Sequence, residues 1–145
     1  MPWTGPLIPS VPNLGLTRLP KALKKVSPDI IILELGANDG LRGLPPRITK
    51  NNLTKMIEKA QKANAKVILL GMKIPPNYGT AYANKFESIF TDLANKYKLP
   101  FVPFFLENII EDLKLLQEDE LHPTAEAQPL ILKVILPVVS AELKK

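Results

Sequence analysis

The chain of 145 residues contains no cysteine, which excludes disulfide bonds, thiol catalysis and thiolate metal sites. No apolar run reaches the roughly 18–20 residues that a membrane-spanning helix requires. The opening stretch, "MPWTGPLIPSVP", has neither a basic start nor a long apolar run and does not read as a signal peptide. We therefore expect a cytoplasmic location by default, no membrane span, and neither a metal nor another cofactor.

Histidine is nearly as scarce, since His122 is the only one in the chain. It stands in "QEDELHP", three residues after Asp119 and one before Pro123. Such a pair is either a helix-entry turn that happens to contain an exposed histidine, or the base half of a hydrolase site. The rest of the sequence decides between these interpretations.

Positive charge exceeds negative charge, with a net charge of +5 and an isoelectric point of about 9.4. The lysines are spread over most of the chain, and the one dense run, "KALKK", falls on the polar side of a short predicted helix. A solvated surface accounts for this distribution, so we predict no nucleic-acid partner. A basic domain that contacts nucleic acid is the alternative, and salt-dependent binding would reveal it.

Three runs rich in β-branched or aromatic residues predict the strands of a sheet. They are "DIIILEL" (29–35), "AKVILLGM" (65–72) and "LPFVPFF" (99–105). The first two are apolar on both faces, as in a central parallel strand, whereas the prolines of the third favour an edge position. Helical patterns follow each strand, and this alternation predicts an α/β fold with an open parallel sheet.

Four helices are predicted from apolar residues spaced three or four apart, at about 17–26, 53–63, 82–97 and 124–143. Thr17 and Thr124 are candidate N-caps, and Pro129 and Pro137 should bend or interrupt the last helix. Residues 1–13, which contain four prolines, predict an irregular segment ahead of a single domain at 14–145.

Unusual polar stretches follow the predicted strands. "GANDGLRGLPP" (36–46) comes after the first strand, "KIPPNYG" (73–79) after the second, and "QEDELHP" (117–123) some way after the third. Ligands of open α/β sheets bind at the carboxyl ends of the strands. Asn38 and His122 should therefore lie on the same rim of the sheet.

The stretches "ELGANDGLRGLPP", "PPNYG", "LPFVPFF" and "EDELHPTAEAQ" resemble, in this order, the SGNH (GDSL-type) serine hydrolases. The likeness is greatest to the branch of arylesterases and multifunctional acyl-CoA thioesterases/lysophospholipases, and it runs from about Leu16 almost to the C-terminus. It implies a three-layer sandwich with a parallel sheet, of SGNH/flavodoxin-like type. It also implies hydrolysis of small carboxylic esters or thioesters, in a family whose members are often exported to the periplasm.

The resemblance implies roles for individual residues. Asn38 matches the asparagine whose side-chain amide donates to the oxyanion, and Asp119 and His122 match the pair that activates the serine. A mobile loop beside the family's acyl-binding cleft is matched by Gly40, Leu41, Arg42, Gly43, Leu44 and Pro45. Without the resemblance, Asn-Asp-Gly is also an ordinary turn sequence and "PPNYG" a plain loop.

The family's nucleophile block, a strand that ends in Gly-Asp-Ser, is not found in this sequence. The serines present are Ser10, Ser27, Ser88 and Ser140. One precedes the first strand, two fall in predicted helices, and the fourth has no strand to project it. If the first helix is aligned with its family counterpart, Pro9 takes the place of a glycine whose N–H is a second oxyanion donor, and proline has no N–H.

We therefore predict a fold that is incomplete at its N-terminal strand, from a truncated esterase that has no recognisable nucleophile and is inactive alone. Without that strand, "DIIILEL" becomes an edge with unpaired backbone groups, and strand-edge self-association is expected. Two alternatives remain. An upstream segment could complete an active esterase, or the chain could be a non-catalytic module that binds acyl groups, lipid or protein.

Overall fold

The computed structural model describes residues 12–145, with side chains from residue 15 onward. The helices and strands, in chain order, are α1 (Pro12–Val26), β1 (Ile30–Leu33), α2 (Ala37–Leu41), α3 (Pro46–Lys62), β2 (Lys66–Leu70), α4 (Thr80–Tyr97), β3 (Phe101–Val102) and α5 (Gln128–Leu143). Short 3-10 turns lie at Pro76–Tyr78 and Leu113–Leu115.

The strands form one parallel sheet in the order β1-β2-β3. Ile30 pairs with Lys66 and Leu33 with Leu69, and Leu69 pairs in turn with Phe101. The predicted α/β fold with a parallel sheet is confirmed, and among the described residues the third strand lies at an edge, as predicted. All three strands are shorter than their apolar runs.

Helices cover both faces of the sheet. Gly15 of α1 lies against Leu35, which follows β1, and against Met56 of α3, so these helices share one face. Leu70 of β2 points to the other face, where it lines a cleft together with Ile131 of α5. Because side chains alternate along a strand, these contacts separate the helices into two layers with the sheet between them.

The core lies between β2 and the helices α3 and α4. Leu53 and Ile57 of α3, Phe86 and Phe90 of α4, and Leu69 of β2 are fully buried. The two phenylalanine rings meet edge to face with centroids 5.6 Å apart, a favoured aromatic arrangement. Full burial of each such side chain contributes about 1.5–3 kcal/mol.

Several helix boundaries differ from the predictions. Helix α1 begins at Pro12 and continues through Pro20, so Thr17 lies within it and does not cap it. Residues 1–11, the rest of the segment predicted to be irregular, lie outside the described residues, and the domain boundary stays a prediction. Helix α5 begins after Ala127, since a turn at 124–127 precedes it, and it continues through Pro137 without interruption.

One edge of the sheet and the outer side of α5 remain uncovered by the described part of the chain. Strand β1 pairs only with β2 among these residues, and its Ile32 is half exposed. Helix α5 buries no residue fully, and its Leu132 and Leu136 are exposed. None of the helices at 12–145 is long and apolar enough to cross a bilayer.

Candidate active site

A cleft of about 420 Å³ opens where the strands end, between the sheet and α5. Asn38 and His122 both line it, as expected from their positions after the strands. The remaining walls are mainly apolar. They include Leu41, Leu70, Met72, Ile74, Phe104, Phe105, Leu121, Ile131 and Ile135. The cleft therefore brings two predicted polar residues to the mouth of an apolar cavity.

Asp119 and His122 form a carboxylate–imidazole pair. Oδ2 of Asp119 lies 2.5 Å from Nδ1 of His122, and Oδ1 accepts from the backbone N–H groups of Leu121 and His122, both at 3.0 Å. The His122 backbone N–H, the imidazole and the Leu121 N–H lower the pKa of Asp119 to about 2. With a carboxylate at Nδ1, the imidazole keeps its proton there, and Nε2 is left to accept one.

The loop that carries this pair is fixed by backbone hydrogen bonds. The carbonyl of His122 accepts from Gln117 N at 2.7 Å, and the Gln117 side chain donates to the carbonyl of Pro123 at 3.0 Å. Leu116 and Pro123 form an isolated antiparallel bridge. Between Asp119 and His122, Glu120 adopts a left-handed conformation with φ of 55°. The tight return of the chain thus places both side chains on one side of the turn.

Asn38 is positioned by the sharp turn after β1. Gly36 has φ of 120°, a conformation that side chains rarely adopt, and a Cβ at Gly36 would meet Phe90 and Thr49 at 3.2 and 3.3 Å. The short helix α2 follows at once, with Gly40 N donating to the Gly36 carbonyl. The turn therefore brings Asn38, half-buried, to the cleft.

Asp39, next to Asn38, points into the protein and not into the cleft. It is 1% exposed, and its Oδ2 accepts from the hydroxyl of Thr49 at 2.9 Å. Its Oδ1 has no hydrogen-bond partner within the described chain. Burial raises the pKa of Asp39, against the opposing effects of Thr49 and Arg42. The buried carboxylate anchors the turn that carries Asn38 to α3.

The six residues predicted to form the loop beside the cleft occupy different environments. Leu41 lines the cleft, and Gly40 is buried against Ile74 and Phe86. Leu44 is half-buried, and the remaining loop residues are exposed. These are Arg42, Gly43 and Pro45. Only Leu41 therefore contributes directly to the wall of the cleft.

Two charged residues that sequence reasoning missed also line the cleft. Glu34 follows β1; desolvation by the surrounding protein raises the pKa of its carboxyl, and His122, when protonated, opposes the shift. Lys73 lies near Glu87 and Glu107, at 3.7 and 3.6 Å, and 5.6 Å above the Phe104 ring. The carboxylate near the carboxyl end of "DIIILEL" was the available signal for Glu34.

The serines at 12–145 all lie away from the cleft. Ser27 is on the amino side of β1, opposite the rim that carries Asn38. The hydroxyl of Ser88 donates to the carbonyl of Lys85 within α4, and Ser140 lies in α5. Ser10 lies outside the described residues. The same part of the chain groups no three histidine, aspartate or glutamate side chains that could hold a metal ion.

Residues 10–129 match the family model of the GDSL-like Lipase/Acylhydrolase family. The chain is 43% identical over 121 residues to the arylesterase of Vibrio mimicus, covering 83% of this chain and 60% of that protein. It is 39% identical over 117 residues to thioesterase 1/protease 1/lysophospholipase L1 of Escherichia coli K12, covering 81% and 56%.

The fold is also that of a solved esterase. The crystal structure of the psychrotrophic esterase EstA from Pseudoalteromonas sp., inhibited by monoethylphosphonate, superposes with a TM-score of 0.88 at 38% identity. That match covers 94% of this chain and 74% of the esterase. The chain spans about 60% of the length of the Vibrio arylesterase. From the match over residues 10–129, the chain belongs to the GDSL-like lipase/acylhydrolase family of SGNH hydrolases.

Proposed function

We propose that this chain carries the base side of an ester or thioester hydrolase that works by acyl transfer through serine. The observation that carries the proposal is the Asp119–His122 pair on the rim of an apolar cleft that Asn38 also lines. The base, its orienting carboxylate and an amide donor are the groups that such a reaction requires around the nucleophile.

Each residue then has one task. Nε2 of His122 takes the proton of the serine hydroxyl as the oxygen attacks the acyl carbon, and later gives it to the leaving group. Asp119 keeps the imidazole in the correct tautomer and stabilises its protonated form. The side-chain amide of Asn38 donates to the oxyanion of the tetrahedral intermediate. Water repeats the sequence on the acyl-enzyme and releases the acid.

We further propose that the described residues do not include the nucleophile and are inactive by themselves. Ser27, Ser88 and Ser140 are all remote from His122, which supports this proposal. The free edge of β1 offers a place for an additional parallel strand, and Glu34 of the cleft directly follows that edge. An upstream segment paired there would deliver a serine to the rim and complete an active esterase.

The substrate class is a small acyl ester or thioester. The cleft walls are apolar, which suits the hydrocarbon part of an acyl group. The similar proteins named as an arylesterase and as a thioesterase/lysophospholipase support the same class. A non-catalytic acyl-binding module is the second candidate, because the same cleft would bind an acyl group without any serine.

Purified chain incubated with p-nitrophenyl butyrate and a fluorophosphonate probe tests the proposal. We expect no burst and no stoichiometric adduct, and any trace hydrolysis should disappear in His122→Ala and persist in Ser10→Ala. Addition of a peptide that carries a Gly-Asp-Ser strand should raise the rate in the wild-type chain but not in His122→Ala. Stoichiometric labelling of Ser10, with loss of turnover in Ser10→Ala, would show that the chain has its own nucleophile.

A further inference from the structure

Tyr82, in the first turns of α4, is tied to the loop beside the cleft. Its hydroxyl lies 3.0 Å from the carbonyl oxygen of Gly40 and 2.9 Å from that of Leu44, so one O–H group is shared between two acceptors. The ring stacks on Phe86 with centroids 6.4 Å apart, and Phe86 is fully buried in the core. Packing of the ring against the buried Phe86 therefore fixes the position of the Tyr82 hydroxyl.

The two acceptors are the beginning and the end of the loop. Within it, Gly43 N donates to the Gly40 carbonyl and Leu44 N to the Asp39 carbonyl, at 3.0 and 3.1 Å. Gly43 has φ of 70° and nothing within 4 Å of an added Cβ, so the space beside Gly43 is open. At the other end of the loop, Tyr82 donates a side-chain hydrogen bond to the carbonyl of Leu44.

The loop position matters for the cleft because of Leu41. A Cβ at Gly40 would lie 2.3 Å from Cδ1 of Ile74 and 2.8 Å from Phe86, so the chain enters the loop in close contact with the core. Leu41 follows directly and lines the cleft, as does Ile74. Leu41 is therefore both part of the cleft wall and the neighbour of the Gly40 end of the loop.

We propose that Tyr82 is a positioning residue that latches the loop and thereby sets the acyl-chain preference of the cleft through Leu41. Tyr82 does not line the cleft itself, so it acts through the loop. Burial, and then the negative charge of Asp39, raise the pKa of the Tyr82 hydroxyl, so the group remains a donor at neutral pH. The acyl-chain part of this inference rests on the proposed function; the latch itself does not.

Tyr82→Phe tests the latch, because it keeps the ring and removes only the hydroxyl. Tyr97→Phe is the matched control. Tyr97 lies at the other end of α4, and its hydroxyl donates to Glu58 of α3, away from the loop. We expect hydrogen exchange at the amides of Gly43 and Leu44 to become about three- to tenfold faster in Tyr82→Phe and to stay unchanged in Tyr97→Phe. Equal exchange in wild type and Tyr82→Phe would overturn the latch.

The acyl-chain preference can be tested without turnover, by NMR titration of the chain with octanoate and with acetate. Tyr82→Phe should bind octanoate several-fold more weakly and acetate equally well, relative to wild type. Leu41→Ala should lose octanoate affinity without faster loop exchange. Faster exchange with unchanged octanoate affinity would overturn the acyl-chain preference. Absence of octanoate binding in wild type would contradict both that preference and the proposed acyl cleft, while the exchange result would still decide the latch.

Discussion

Ile32 and Ile68 are paired in register on neighbouring strands and point to the same face of the sheet, yet they are 47% and 0% exposed. The difference arises because β2 has a strand on each side, whereas β1 has one neighbour within the described chain. The exposure of Ile32 and Ile68 therefore shows that the sheet is covered at β2 and left partly uncovered at β1.

The same substitution at these two positions should have different effects on stability. Ile32→Lys should change the free energy of unfolding by about 1 kcal/mol or less, because the charged group reaches water. Ile68→Lys should cost at least about 4 kcal/mol, because it buries a charge in the middle of the sheet. Urea unfolding followed by circular dichroism measures both. Similar losses in the two variants would show that β1 is covered in solution.

An uncovered β1 edge also predicts self-association. Unpaired backbone groups along an apolar strand are a template for pairing with a second chain. The apparent mass of the wild-type chain in sedimentation should rise with concentration, and Ile32→Lys should reduce this rise. Lys55, on α3, is already exposed, so Lys55→Glu provides a control charge change away from the edge. A monomer at all concentrations would contradict the prediction.

The hydrogen bond from Thr49 to Asp39 should be important for the turn that carries Asn38. Thr49→Val keeps the shape of the side chain but leaves a buried carboxylate without its donor, at a cost of about 1–3 kcal/mol. Thr54→Val, a half-buried position on the same helix, serves as the control.

The cost of Thr49→Val should depend on pH in a defined direction. Burial raises the pKa of Asp39 above its ordinary value of 3.8, so the folded chain binds this proton more readily than the unfolded chain. The stability that the folded chain gains from protonation of Asp39 is fully present below about pH 4, and it is lost as the pH rises through the folded-state pKa. The difference between wild type and Thr49→Val should therefore be smaller at pH 4 than at pH 7. A larger difference at pH 4 would contradict the assignment.

Asp119 should have the opposite linkage. Its pKa is lowered to about 2 in the folded chain, so the stability it contributes is present above about pH 4 and is lost as the pH falls to about 2. Asp119→Asn should remove this part of the acid dependence. His122→Ala should retain much of it, because the largest cause is the His122 backbone N–H, which alanine keeps. Carbon-detected NMR titration of the Asp119 carboxyl measures the effect, and a midpoint near 4 in wild type would contradict it.

The left-handed conformation of Glu120 predicts a stabilising substitution beside the site. At φ of 55°, Glu120→Gly should increase the free energy of unfolding by about 0.5–1 kcal/mol, since glycine adopts this region without a steric penalty. Glu118→Gly, in the same turn but without a positive φ, should decrease it. Urea midpoints compare the two. A loss of stability in both variants would mean that Glu120 makes a compensating interaction.

Much of the site was readable from the sequence because its parts are local. Asp119 and His122 are three residues apart, so a single turn brings them together. Gly36 and Asn38 directly follow an apolar strand, which places Asn38 at the end of the sheet. The α/β alternation likewise follows from periodicity within short segments. These features depend on interactions between near neighbours in the chain, and a linear pattern records them.

The tertiary structure alone decided the features that join distant segments. Tyr82 contacts a loop 38 and 42 residues away, and Glu34 and Ile131 line the same cleft although almost a hundred residues separate them. Helix α5 begins at Gln128 and not at the predicted Thr124, because a turn follows the bridge between Leu116 and Pro123. The apolar composition of "DIIILEL" indicated a strand buried on both faces, but exposure of Ile32 depends on which strands are present beside it. A sequence specifies what each segment tends to form, whereas burial and partners depend on which other segments pack against it.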